Sequence, residues 1–126
     1  MPEIVITEFM DDAAVAELAA DFDVLYDAGL ADRLETLGAL AADARGLIVR
    51  NRTQVRGALL EACRRLEVVG RLGVGLDNID VETCRARGIA VCPATGANDL
   101  AVAEYVIAGV LMLLRGAYGA SAGRSR

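Results

Sequence analysis

Apolar residues occur along this chain in five short strand-like runs, separated by stretches in which they recur every three or four positions. Ile4-Val5-Ile6 is the first run, and after Asp11-Asp12 come Val15, Leu18 and Ala19 at helical spacing. Phe22 to Tyr26 repeats the strand pattern and Leu34, Leu37 and Leu40-Ala41 the helical one, with Gly29 marking the turn between them. Leu47-Ile48-Val49 gives a third strand, and Val55, Leu59, Cys63 and Leu66 mark the buried face of a third helix, for which Thr53 is the predicted cap. Val68-Val69 and Ile89-Ala90-Val91 are the fourth and fifth strands. Short all-apolar strands alternating with helices predict a doubly wound α/β domain, a five-stranded parallel sheet covered on both faces. The expected strand order is flavodoxin-like, 2-1-3-4-5.

The final helix, predicted from Asp99 to Tyr118 with Asn98 or Asp99 as its cap, breaks the amphipathic pattern. From Leu100 on it is apolar nearly all round, with Glu104 the only charge before Arg115. A helix of that kind is buried against something. If one sheet face covered it, about five side chains among Val106, Ile107, Val110, Leu111, Leu113 and Leu114 would stand in water at about 2 kcal/mol each. The expectation is therefore a homodimer or aggregate formed through this helix, or a helix that frays and folds back on the sheet. The small-residue tail, 119–126, is expected to be disordered.

Between the fourth strand and the next helix lies Gly70-Arg71-Leu72-Gly73-Val74-Gly75-Leu76-Asp77-Asn78-Ile79-Asp80. Asp80 is the predicted N-cap of a helix that begins at Val81, and Gly88 stands just past its end. Two glycines one residue apart let the backbone approach a ligand and leave amides unpaired, so the loop reads as a cradle for a carboxylate or phosphate. A dinucleotide fingerprint is disfavoured, because Asn78 stands where the third glycine belongs and Asp99 opens a helix instead of ending a strand. The plain alternative is a glycine-rich turn without a ligand. Arg50-Asn51-Arg52-Thr53 follows the third strand and brings one or two guanidinium groups to the neighbouring loop, suited to a bidentate grip on an oxyanion. Alternatively, Arg50 and Arg52 pair with Glu8 or Asp77.

Composition narrows the chemistry. The chain has 126 residues, one domain's worth, with a net charge of -5, no histidine and three cysteines. An acidic chain without a basic stripe is not expected to bind nucleic acid. Without histidine and without paired cysteine spacing, neither a zinc site nor a Cys-His nucleophile can be assembled, and no metal is expected. The N-terminus carries Glu3 where a signal peptide would be basic, and no stretch long enough to span a bilayer is free of charge, so a cytoplasmic protein with reduced thiols and no membrane partner is expected.

Ile48 to Thr53, Gly70 to Asp80, Arg87-Gly88-Ile89-Ala90-Val91 and Gly96 to Glu104 together closely resemble the N-terminal part of the D-isomer-specific 2-hydroxyacid dehydrogenases, especially the phosphoglycerate and sulfolactate dehydrogenase branches. The resemblance implies a substrate-binding domain over 1–98 and a crossover helix over 99–118 leading to a separate Rossmann domain. It implies that the backbone of Val74 and Gly75 holds the carboxylate of a small anionic 2-hydroxy or 2-oxo acid, with Arg71 beside it and Arg50 on a second anionic group. Arg52 and Gly73 would support them, Asn78 and Asp80 would fix the loop and cap the helix, and Asn98 and Glu104 would face the cleft and the neighbouring domain. Ala101 stands where the family commonly has serine. The family's cofactor is NAD, but its glycine-rich cofactor loop and its catalytic arginine, glutamate and histidine all lie downstream of the segment resembled here. The expectation is a truncated dehydrogenase, with no catalytic or cofactor-binding residue of its own and inactive alone. The alternative is a stand-alone small-anion binding or regulatory module.

Overall fold

Within each central strand, neighbouring residues point to opposite layers, and both layers are apolar. Ile4, Ile6, Ile48 and Val68 face one way, and Val5, Leu47, Val49 and Val69 the other, all fully buried. Both faces must therefore be roofed by helices. The structure, a computed structural model that describes residues 2–94 and 102–119, has that arrangement. Strands β1 (Ile4–Ile6), β2 (Val24–Tyr26), β3 (Gly46–Val49), β4 (Val68–Arg71) and β5 (Ala90–Pro93) form one parallel sheet in the order β2-β1-β3-β4-β5. Helices α2 (Leu34–Leu40), α3 (Gly57–Ala62) and α4 (Val81–Ala86) cover the Val5 and Leu47 face, while α1 (Asp12–Ala19) and α5 (Val102–Gly119) cover the Ile4 and Ile48 face.

Side-chain caps close the starts of α1 and α4, whereas α2 and α3 begin without one. Asp11 caps α1 through the Ala13 amide, and Asp80 caps α4, its carboxylate accepting the Thr83 amide at 3.1 Å and the Thr83 hydroxyl at 2.7 Å. Past α4, Gly88 has φ +74°, and the Ile89 amide returns to the Cys84 carbonyl, a Schellman ending. The third helix departs from its predicted cap. Thr53 does not cap it, because its hydroxyl and amide are both bound to Glu8, and Val55 pairs with Ile79 in an isolated bridge. The helix starts only at Gly57, with no side-chain cap. Val55, Leu59, Cys63 and Leu66 are all buried in the same core, so the spacing marked the buried residues correctly while over-extending the helix.

The long helix is better covered than its composition implies. Val106, Ile107, Val110 and Leu114 are buried against the sheet and α1, and Leu111 and Leu113 are half-buried. Among the side chains described, the expected row of bare large apolar residues is thus corrected to two, Tyr105 and Met112, the latter 71% exposed. Close approach makes this burial possible. A methyl group on Gly70 would stand 2.7 Å from Val106 and 3.1 Å from Val110, so the bare backbone of β4 is what lets α5 sit down. Arg45 ties the far end, donating to the Leu114 carbonyl and to Glu67. The expected caps Asn98 and Asp99, Ala101, and the tail beyond Gly119 lie outside the described residues.

Candidate functional site

In a sheet of this order the crevice opens where the winding reverses, at the carboxyl ends of β1 and β3. Here that crevice is filled by the protein itself. Glu8, 3% exposed, turns its carboxylate into the 50–53 turn, where one oxygen accepts the amides of Arg50 and Thr53 (both 2.9 Å) and the Thr53 hydroxyl (2.8 Å). The other oxygen accepts the Arg52 amide at 3.2 Å. Because the Thr53 hydroxyl donates to Glu8, the 2.7 Å contact between Thr7 and Thr53 has Thr7 as donor. Burial alone would raise the Glu8 carboxyl, but the hydrogen bonds from Thr53, Arg50 and Arg52 outweigh it and hold the group below its ordinary value.

One strand further along, a cleft of about 260 Å³ remains open, lined by Asn51, Gln54, Arg71, Gly75, Asp77 and Asn78. Asn78, 4% exposed, clamps its floor. Its amide nitrogen donates to the Arg50 and Thr53 carbonyls, both at 2.8 Å, and its oxygen accepts Nε of Arg71 at 3.2 Å. The guanidinium thereby lies over the glycine loop. A side chain on Gly73 would overlap it, and one on Gly75 would touch it at 3.7 Å. Val74 is 64% exposed, and among the described residues the amides of Val74 and Gly75 donate to no protein acceptor. A cation beside two such amides is an arrangement that grips a planar oxyanion.

The arginines do not converge as their loop positions imply. Arg50 donates Nε to the Phe9 carbonyl at 2.8 Å, lies over the Phe9 ring, and lines a second cleft of about 350 Å³ together with Asp11 and Glu104. Arg52 pairs with Asp32, a partner that neither sequence alternative included, and Asp77 offers its carbonyl to Arg56. Arg71, Gly73, Val74, Gly75 and Asn78 therefore share one site, Arg50 and Glu104 share another, Asp80 serves α4, and Asn98 lies outside the described residues. Asn51 and Gln54 were not singled out in the sequence, and Glu8 only as a surface partner. The available signal for Glu8 was its place, two residues past a fully apolar strand at the point where the winding reverses. Among the described residues no group of histidine, cysteine or carboxylate side chains could hold a metal ion, and no helix is long and apolar enough to cross a membrane.

Comparison with known proteins gives this geometry its context. The profile of the D-isomer-specific 2-hydroxyacid dehydrogenase catalytic domain matches residues 4–122. The chain is 56% identical over 118 residues to (S)-sulfolactate dehydrogenase of Chromohalobacter salexigens, covering 94% of this chain and 38% of that protein. It is 36% identical over 115 residues to D-3-phosphoglycerate dehydrogenase of Mycobacterium leprae, covering 91% and 21%. The crystal structure of a 2-hydroxyacid dehydrogenase from Ketogulonicigenium vulgare superposes with a TM-score of 0.61 at 28% identity, over 94% of this chain and 41% of that one. The chain thus spans well under half the length of these relatives. A sheet of this order, a glycine loop under an arginine, and a profile match over nearly the whole sequence place the chain in the D-isomer-specific 2-hydroxyacid dehydrogenase family.

Proposed function

We propose that this chain is the substrate-binding part of an NAD-dependent D-2-hydroxyacid dehydrogenase and that its cleft takes a small 2-hydroxy or 2-oxo acid by the carboxylate. The observation that carries the reading is the Arg71 guanidinium over the glycine loop, in a cleft that Gly75 also lines, beside Val74 and Gly75 amides that meet no acceptor among the described residues. Arg50, its Nε on the Phe9 carbonyl and its guanidinium in the neighbouring cleft, takes a second anionic group in this reading. Residues 1–98 form the binding domain in this reading, and the 99–118 helix leads toward a cofactor domain supplied by other residues.

The described residues do not fit a dinucleotide. The loop after β1, from Thr7 to Asp11, has no glycine, and Glu8 fills the crevice there. After β4 the space above Gly73 is taken by Arg71, and the following helix has only six residues. The NAD of the family would be held elsewhere, so this chain alone binds the acid and transfers no hydride. Three free thiols suit a reducing, cytoplasmic setting. Pairing of two chains belongs to the same proposal, through the outer face of α5 where Tyr105 and Met112 are exposed. Light scattering of Met112→Glu beside the parent tests it: a dimer that becomes a monomer supports pairing, and a parent that is monomeric throughout removes it.

Titration calorimetry with malate, a dianionic 2-hydroxy acid, tests the binding reading. Losing a charge-assisted hydrogen bond costs about 1.5–3 kcal/mol, so Arg71→Ala is expected to weaken binding at least tenfold, and Arg50→Ala to weaken malate more than it weakens the monoanion lactate. Equal affinity of Arg71→Ala and parent would contradict the assignment.

A further inference from the structure

Arg71 can serve an anion only if its guanidinium is held over the glycine loop, and what holds it can be followed backward from the site. Nε is fixed by the Asn78 oxygen, and Asn78 is fixed by the carbonyls of Arg50 and Thr53. The amides of these same two residues are fixed by one carboxylate oxygen of Glu8, with the Arg52 amide on the other oxygen. The 50–53 turn is thus gripped from both sides, by Glu8 beneath and Asn78 above. Three amides converging on one point make an anion nest, and here the anion is a side chain of the protein itself. No other acceptor takes these amides among the described residues.

We propose that Glu8 is a positioning residue of the Arg71 site: by filling the amide nest at the end of β3 it sets the turn that holds Asn78, and through Asn78 it aims the Arg71 guanidinium at the Gly73–Gly75 loop. The inference rests on the reading of Arg71 as the anion-binding group, but its test needs no bound acid. The reporter is the Nε–H resonance of Arg71 in the 15N-labelled chain. A proton held by Asn78 exchanges slowly with water and gives a resolved signal, whereas that of a free arginine exchanges fast.

In the parent the signal is expected to be resolved. In Glu8→Ala it should merge with those of the exposed arginines, together with shifts at the Arg50, Arg52 and Thr53 amides. Acetate, a free carboxylate able to enter the vacated nest, should restore it. Glu8→Gln keeps the bulk of the side chain but turns an N–H toward one of the turn's amides, so the Arg52 and Arg71 signals should shift together, without rescue by acetate. An unchanged Arg71 signal in either variant that folds would overturn the proposal. If neither variant folds, the carboxylate supports the whole domain and the specific role is likewise refuted. Failure of the parent to bind malate while these signals behave as described would refute the functional reading and leave the positioning role intact.

Discussion

Glu8 and Arg71 carry opposite charges at the same edge of the sheet, and their difference in burial separates their duties. The carboxylate is enclosed and fully hydrogen-bonded, so its effect on stability can be given a sign. Its folded pKa lies below the ordinary value of 4.5, so the stability it contributes is present above about pH 4.5 and is lost as the pH falls through the folded value. The urea midpoint of the parent should therefore drop as the pH falls below 4.5, and by less in Glu8→Gln. An equal drop in both would mean that Glu8 is not among the linked groups. Cys63 works in the opposite direction. Burial, opposed only weakly by Arg87, pushes its thiol up from 9.0 to about 11, so its contribution is complete below about pH 9 and is lost as the pH rises through 11. With a disulfide reagent at pH 8, the half-buried Cys92 is expected to react first and Cys63 only once urea is added. Single-residue chemistry of this kind was only partly legible in the sequence. Asp80 declared itself as a cap by preceding a helix, whereas Glu8 and Thr53 each have a plausible local role that a long-range partner overrides.

Among the elements, the docking of α5 on β4 is the contact that most depends on one residue. Val106 and Val110 lie against the bare backbone of Gly70, with no room for a methyl group. Because β-branched side chains cannot swing aside freely, Gly70→Ala should destabilise the domain by about 1–3 kcal/mol through overpacking. Thermal unfolding monitored by circular dichroism checks this, and an unchanged midpoint would show that α5 shifts without cost. The same contact explains why the helix looked barer in sequence than it is. Apolar content was readable, but how deeply a helix seats depends on the residue it meets, and Gly70 gives no hydrophobic signal. The third helix failed for a related reason: the Val55 amide is taken by the Asn78 carbonyl and the Val55 carbonyl by the Asp80 amide, a tertiary pairing that spacing along one segment does not reveal.

For the whole molecule, the alternation of strands and helices was enough to predict the parallel sheet, because short strands apolar on both faces have few other solutions, whereas the order 2-1-3-4-5 was a choice over a linear order that the structure bears out. The site was legible as loops and not as side-chain directions. Three arginines end neighbouring loops, yet packing sends Arg50 toward Phe9 and Arg52 toward Asp32, leaving Arg71 alone with the glycines. In the proposed reading, backbone amides and the Arg71 guanidinium take the carboxylate, at the carboxyl end of the sheet beside the crevice that Glu8 closes. Amide-resolved NMR of the 15N-labelled chain during a malate titration tests this most directly. Shifts are expected to concentrate at Val74, Gly75 and the Arg71 side chain and to vanish in Arg71→Ala; shifts centred on another cleft, or unchanged in that variant, would contradict the assignment of the site.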